Sequence, residues 1–106
     1  MNLLRALETT TGFDWDKGNS EKNWIKHKVS RFESEEVFYN EPFFVYDDKI
    51  HSIDENRFYI LGQTNEDRKL FIVFVIRNNN IRIISARDMN KKERKVYEEL
   101  KKDSKV

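Results

Sequence analysis

The chain has 106 residues, no cysteine and a net charge of +1. This length fits a single domain over residues 1–106, and the lack of cysteine excludes a disulfide framework, a thiolate nucleophile and a cysteine-ligated zinc site. Only two histidines are present, with no spaced cluster of ligands, so we expect no metal and no other cofactor. The first residues contain no apolar run long enough for a signal sequence or a membrane span, which predicts a cytoplasmic protein without membrane contact.

Charge is unevenly distributed along the chain. Residues 33–56 carry eight acidic side chains and one basic side chain, whereas residues 77–106 carry ten basic and five acidic ones. In one small domain this asymmetry predicts opposed faces, one suited to a polyanion and the other to a basic partner. The alternative is that the charges only keep the helices solvated.

The first part of the chain predicts a loose leader, a short strand and a helix. Residues 1–12 end in Thr-Thr-Thr-Gly and form the leader, and Phe13–Asp16 can form the strand. Asn19 or Ser20 can cap a helix that extends to about Lys28.

A capping box predicts a second helix. Ser30 and Glu33 have the spacing at which two side chains satisfy each other's backbone N–H groups at a helix start, and Pro42 ends this helix. Trp15 and Trp24 stand among apolar neighbours, so we expect both in the core rather than as platforms for base stacking.

The second half of the chain predicts an antiparallel meander. Its four strands are Phe43–Tyr46, Arg57–Leu61, Leu70–Ile76 and Ile81–Arg87. The unbroken apolar run of the third strand is typical of a central strand, in which we expect Phe71 and Phe74 to be largely buried. Residues 78–80, three asparagines, predict the hairpin turn before the fourth strand, because asparagine tolerates left-handed backbone.

A highly charged helix follows the last strand. Asn90 and Glu93 predict its start. Its apolar stripe is limited to Val96, Tyr97 and Leu100, so we expect a helix over Asn90–Glu99 that packs lightly. The element order predicts an α+β fold, an antiparallel sheet of about four strands plus a short N-terminal strand, with two N-terminal helices and one C-terminal helix to one side.

Two arginines of the fourth predicted strand give the first functional signal. Arg82 lies within the isoleucine-rich segment and Arg87 follows it. Strands bury apolar residues, so these guanidinium groups must be paired or must face a cleft that binds an anion, and their planar fork suits phosphate. Simple alternation puts the two arginines on opposite faces, unless the strand ends or bulges near Ala86.

Four motifs occur along the chain in order. They are Phe13-Asp14-Trp15-Asp16 with Lys17, Asn23 and Lys26-His27; Asp54-Glu55-x-Arg57-Phe58 with Gly62; Ile81 to Arg87; and Glu93-Arg94-x-x-Tyr97-Glu98. Together they resemble the BrnT family, small bacterial ribonuclease toxins with a RelE-like fold, over about residues 13–99. Lys28 stands where this family commonly has glycine, and a residue with a Cβ is penalised at a left-handed helix stop.

The resemblance implies an endoribonuclease toxin that inhibits translation and growth. Such a toxin cleaves RNA without a metal, by attack of a ribose 2′-hydroxyl on the adjacent phosphate. The resemblance also implies a cognate antitoxin that neutralises the toxin and makes the complex an autorepressor. DNA would then be a partner only through the DNA-binding antitoxin.

The implied reaction needs stabilisation of the phosphorane charge, a proton acceptor and a proton donor. Arginine suits the first task, and imidazole and carboxylate groups suit the others. The predicted catalytic residues are His27, Glu55, Arg57, Arg82 and Arg87. The predicted RNA-binding residues are Lys17, Lys26, Arg77 and Arg94.

Plain structural roles stay open for the same residues. His27 can simply interact with the terminal carbonyls of its helix, and Glu55 and Arg57 can form an ordinary ion pair on one face. The alternative function is a non-enzymatic module whose basic surface binds RNA or an acidic protein. Binding a phosphate and cleaving at it use the same residue types, so the sequence is compatible with both functions.

Overall fold

The computed structural model describes residues 7–51 and 55–104. The strands are β1 (Gly12–Phe13), β2 (Phe44–Asp47), β3 (Phe58–Gln63), β4 (Lys69–Arg77) and β5 (Asn80–Asp88). The helices are α1 (Lys17–His27), α2 (Arg31–Val37) and α3 (Lys91–Asp103), with a 3₁₀ turn at Lys49–His51. The predicted leader lies partly outside the described residues. Asp54 of the second motif also lies outside them. None of the helices described is both long and apolar enough to cross a bilayer.

The strands form one mixed sheet in the order β1-β5-β4-β3-β2. The prediction that the apolar run over β4 is the central strand is confirmed. The four long strands pair antiparallel as predicted, but β1 pairs parallel with β5 and covers Gly12–Phe13 rather than Phe13–Asp16. The asparagine turn is also confirmed, because Asn78 and Asn79 have φ angles of 51° and 63° between the two strands that they connect.

Helices cover both faces of the sheet, which corrects the prediction of helices on one side. On the first face, α1 and α2 enclose the main core, with Ile60, Ile72 and Ile83 in the sheet. On the second face, α3 covers one end, where Tyr97 packs with Leu61 and Phe71. Strand alternation divides the side chains between these two cores.

The burial of β4 follows from this division. Phe74 points into the main core and is fully buried, whereas Phe71 points to the second face and is only partly buried. Trp15 packs partly buried against the main core, but Trp24 is 51% exposed, so its predicted core position is wrong. Lys28 lies over the Trp24 ring, 5.4 Å from its centre.

Two of the three helix starts follow the predicted capping boxes, at Ser30 and Asn90. For α1 the cap is Asp16, and Asn19 is its partner at the third helical position, not the cap. Lys28 ends α1 in the left-handed conformation with φ 56°, although it is not glycine. The helix α2 ends at Val37, well before Pro42, so the proline does not terminate it.

The C-terminal helix is longer than predicted and is anchored by one aromatic residue. Tyr97 is fully buried, its hydroxyl donates to the Pro42 carbonyl at 2.7 Å, and its ring meets Phe44 edge-on. Burial raises the pKa of Tyr97 to about 12, so the hydroxyl remains a donor at neutral pH. Val96, by contrast, is 41% exposed.

Candidate functional site

A β-bulge in β5 decides where the arginines of this strand point. Val73 pairs with Ser85 and the next residue, Phe74, pairs with Ile83, so Ile84 is an extra residue without a partner on β4. Residues paired across strands share a face, and on β4 the partners of Arg82 and Arg87 are Val75 and Phe71. These partners are four residues apart. The bulge therefore brings Arg82 and Arg87 to the same face.

Two asparagines of α1 hold the bulged segment from its free edge. The Asn19 side-chain amide donates to the Ile83 carbonyl at 3.1 Å, and the Asn23 side-chain oxygen accepts from the Ala86 N–H at 3.0 Å. One turn of helix separates these asparagines, so they contact the strand on either side of Ile84. Asn23 is 2% exposed, and its amide also donates to the Asn19 carbonyl. Asn23 belongs to the first of the four motifs, but the sequence gives no sign of its contact with the strand.

We call the part of the second sheet face beyond α3 the arginine face. The sheet register and the alternation of side chains assign it Tyr46, Arg57, Tyr59, Val73, Val75, Arg77, Arg82, Ser85 and Arg87. No helix among the described residues packs on it apart from the end of the sheet near Leu61 and Phe71. It is therefore a shallow surface rather than an enclosed pocket.

Arg82 is held by two carboxylates from the segment that leads into α1. Its guanidinium donates to Asp16 at 2.6 Å and lies 3.5 Å from Asp14. The Asn19 N–H and Arg82 together hold the pKa of Asp16 below its ordinary value, and Asp16 in turn raises the pKa of Arg82. The Arg82 side chain is 19% exposed, whereas the Asp16 side chain is 54% exposed. This pair is open to solvent on the carboxylate side.

Arg87 is held more tightly. Its guanidinium makes a bidentate pair with Glu93, at 2.8 and 2.9 Å, and lies 4.3 Å from the centre of the Phe71 ring. Burial alone would raise the pKa of Glu93, but Arg87 and the Asn90 N–H outweigh it and keep this pKa below its ordinary value. Glu93 also belongs to the capping box of α3, so Arg87 connects the sheet to a helix start.

Glu55, Arg57 and Arg77 lie at the opposite end of the arginine face. Glu55 makes a bidentate pair with Arg77 rather than the predicted pair with Arg57. The hydrogen bond from Arg77 is the main cause of the lowered pKa of Glu55, and the charges of Arg57 and Arg82 add to it. Continuing the β3–β4 register puts Arg57 opposite Val75, whose other neighbour is Arg82. Four of the predicted residues thus lie within one electrostatic neighbourhood.

The other predicted residues lie elsewhere. His27 ends α1, about 16 Å along the helix axis from Asp16 at its start. Lys26 is exposed in the same last turn, and Lys17 is exposed at the first. Arg94 is exposed on the first turn of α3, near Asp88. The structure therefore places His27 and Lys26 at the end of α1 away from Arg82, with His27 close enough to Asp88 to lower the pKa of that carboxyl.

Arg68 is a residue that the sequence analysis missed. It donates to Asp88 and Glu33 and to the carbonyls of His27 and Lys28, and so joins α1, α2 and the β4–β5 pair. Its side chain is 27% exposed and it lies within a polar loop, which gave no signal of this role. The hydrogen bonds that Arg68 donates lower the pKa of Asp88. Burial raises the pKa of Glu33, but hydrogen bonds from Ser30 and Arg68 outweigh it and keep this pKa below its ordinary value.

The described residues contain no cluster of three or more histidine, cysteine, aspartate or glutamate side chains arranged to hold a metal ion. Three arginines of this face, Arg77, Arg82 and Arg87, are each paired with a carboxylate that is partly exposed. A guanidinium group can bind phosphate in place of carboxylate. The carboxylate is planar and the phosphate is tetrahedral, but each presents two oxygens that accept two parallel hydrogen bonds.

Comparison with known proteins identifies the family. A family model described as a ribonuclease toxin, BrnT, of a type II toxin–antitoxin system matches residues 15–93. A search of curated proteins gave no match. The matched segment includes α1, the whole sheet except β1, and the capping box of α3. Because this segment is well over half of the sequence, the chain belongs to the BrnT family of ribonuclease toxins.

Proposed function

We propose that the protein is a metal-independent endoribonuclease that acts in the cytoplasm and uses the arginine face to cleave RNA. The observation that carries the proposal is the bulge at Ile84, which puts Arg82 and Arg87 on one face with Arg57. The family's description as a ribonuclease toxin supports the activity. We propose that the fold is RelE-like and that cleavage requires no metal ion.

Arg82 and Arg57 are the proposed ligands of the reacting phosphate. The sheet register places them on either side of Val75, which is fully buried, so an apolar side chain lies between the two arginines. Charge on the phosphorane develops on oxygens that these two guanidinium groups can hold, once Arg82 exchanges the Asp16 carboxylate for the phosphate. Glu55, which is ionised at neutral pH and close to both, either accepts the 2′-proton or orients an arginine.

Arg87 and His27 take lesser parts in this scheme. Arg87 is paired with Glu93, so we expect it to support the face rather than to bind the phosphate. His27 stays a predicted acid or base, with a smaller expected effect because it lies on the far end of α1. Lys17, Lys26, Arg77 and Arg94 are proposed as contacts to the RNA backbone beyond the reacting phosphate.

The direct test is RNA cleavage by Arg82→Ala in the presence of a chelator. Loss of one preorganised donor to a developing oxyanion costs roughly 100- to 1000-fold in rate, so we expect a loss of this size with the far-UV spectrum unchanged. Arg31→Ala is the matched control, because Arg31 is an exposed arginine on α2, away from the arginine face. Wild-type cleavage by Arg82→Ala would refute the phosphate site.

Asp16→Asn tests the same site, but here we expect a gain in RNA binding instead of a loss of activity. Asparagine keeps the cap of α1 but removes the charge that competes with phosphate for Arg82. We therefore expect tighter RNA binding and cleavage at least equal to that of the wild type. RNA that is bound but never cleaved, in chelator or with added divalent ions, would favour the alternative of a non-enzymatic binding module.

The cognate antitoxin that the family implies is proposed to cover the arginine face. An acidic antitoxin segment there would gain association rate from the basic surface, and the antitoxin's DNA-binding domain would make the complex an autorepressor. The association rate measured by stopped-flow should then fall as salt is raised. A rate that is indifferent to ionic strength would argue against this docking surface.

A further inference from the structure

A row of stacked side chains crosses the arginine face. Tyr46 stacks on Tyr59 with ring centres 5.2 Å apart and planes at 26°. Tyr59 stacks on Phe71 at 5.3 Å and 23°, and the Arg87 guanidinium covers the other side of Phe71. The row therefore crosses the sheet from the edge strand β2 to β5, and each side chain stacks on the next.

The two ends of the row differ. Arg87 closes one end, whereas Tyr46 is on β2, the last strand of the sheet formed by the described residues. Tyr46 is 36% exposed, and Tyr59 is the only aromatic ring among the described residues on which it stacks. The outer surface of Tyr46 is thus the position at which one more flat ring would continue the stack.

The row also lies next to the proposed phosphate ligands. Arg57 precedes Tyr59 by two residues of extended chain, so their Cα atoms are about 7 Å apart, which is within the span of one nucleotide. Burial is the main cause of the raised pKa of Tyr59, so its hydroxyl stays neutral and does not repel a phosphate. Cross-strand aromatic pairs also stabilise a sheet by themselves, but that role does not require an exposed tyrosine at the open end.

We propose that an unpaired nucleobase of the RNA substrate stacks on Tyr46 and extends the row Tyr46–Tyr59–Phe71. This inference rests on the proposed ribonuclease function and names the part of the substrate that is recognised beside the phosphate. Stacking accepts any base, because each has a π-face, so the site favours single-stranded RNA over a particular sequence. Bases in a duplex are already stacked and paired, and so are not available to Tyr46.

The test uses a fluorescent single-stranded 2′-O-methyl RNA, which lacks the attacking hydroxyl and is not cleaved. Its affinity is measured by anisotropy and compared with that of the same oligomer carrying central abasic residues. Stacking of one base on an aromatic ring corresponds to a roughly 5- to 150-fold change in affinity. We expect the abasic oligomer to bind more weakly by such a factor at equal salt.

Substitutions assign this effect to the row. Tyr46→Ala should weaken binding of the intact oligomer by the same factor and abolish its advantage over the abasic one, while Tyr46→Phe should retain both. Tyr39→Ala is the matched control, because Tyr39 is 75% exposed and lies beyond α2, where it meets Phe13 on the other side of the sheet. If Tyr46→Ala does not fold, the abasic comparison with the wild-type protein still decides.

Each outcome has a definite meaning. Equal binding of intact and abasic oligomers, or wild-type binding by folded Tyr46→Ala, overturns the stacking site, and cleavage of natural RNA by the same preparation would then leave the proposed function standing. If the wild-type protein neither binds the oligomer nor cleaves RNA, both proposals fall together.

Discussion

Replacing Arg87 with alanine should lower the stability of the protein as well as its activity. The bidentate pair with Glu93 is partly buried, with side chains 33% and 19% exposed. Hydrogen bonds to charged groups of this kind contribute roughly 1–2 kcal/mol after a discount for solvent screening. The stacking on Phe71 adds about 0.5–1 kcal/mol. We therefore expect the free energy of unfolding to fall by about 2 kcal/mol, which in a domain of this size lowers Tm by roughly 8–16 °C.

Urea and thermal unfolding monitored by circular dichroism measure this loss. Arg87→Lys keeps the charge but not the fork, so its Tm should lie between those of the wild type and Arg87→Ala. A double-mutant cycle with Glu93→Gln should return a coupling energy of about 1 kcal/mol between the two side chains. If Arg87→Ala melted at the wild-type temperature, or the cycle gave no coupling, the pair would not hold α3 to the sheet.

Three other substitutions test the framework of the site. Gly62→Ala should destabilise the protein by about 1–3 kcal/mol in urea, because the added Cβ would lie 2.6 Å from a valine of α2; unchanged stability would mean that α2 can move away. Asn23→Ala leaves a buried N–H of β5 without its acceptor, so we expect a loss of about 2 kcal/mol and faster amide exchange beside the bulge. Arg68→Met should destabilise the protein at neutral pH and much less in strong acid. Glu33 and Asp88 have folded-state pKa values below their ordinary 4.5 and 3.8, so their stabilising contribution is complete above those values and is lost as the pH falls through the lowered ones. An equal loss at both extremes would show that Arg68 acts by packing alone.

Local signals in the sequence predicted most of the elements. The apolar run of β4, the asparagine turn and the capping boxes at Ser30 and Asn90 each depend on a few adjacent residues, and all four are confirmed. The predicted cap of α1, Asn19 or Ser20, was wrong. Asp16 and Asn19 are both good capping residues, and each accepts a hydrogen bond from the backbone N–H of the other. The two-residue strand β1 is too short to carry a pattern, so neither its bounds nor its parallel pairing was visible.

The arrangement of the site depended on contacts that are distant in sequence. Both arginines could be recognised from the sequence, but alternation put them on opposite faces, and only the pairing with β4 shows that Ile84 is the extra residue. A bulge has no strong signature when no glycine marks it. The partners of Arg82 precede it by more than sixty residues, and the aromatic row is spread over three strands. Sequence spacing carries no information on such neighbours.

The two arginines differ in how their partners are used. Asp16 caps α1 with Oδ1 and holds Arg82 with Oδ2, so Arg82 can leave the carboxylate without opening the helix start. Glu93 accepts from the Asn90 N–H and from Arg87 with the same Oε1, so release of Arg87 disturbs the start of α3. The first pair suits an exchange of carboxylate for phosphate, and the second suits the fixed support of the aromatic row. We therefore expect Arg82 to change partner when RNA binds, and Arg87 to keep its contact with Glu93.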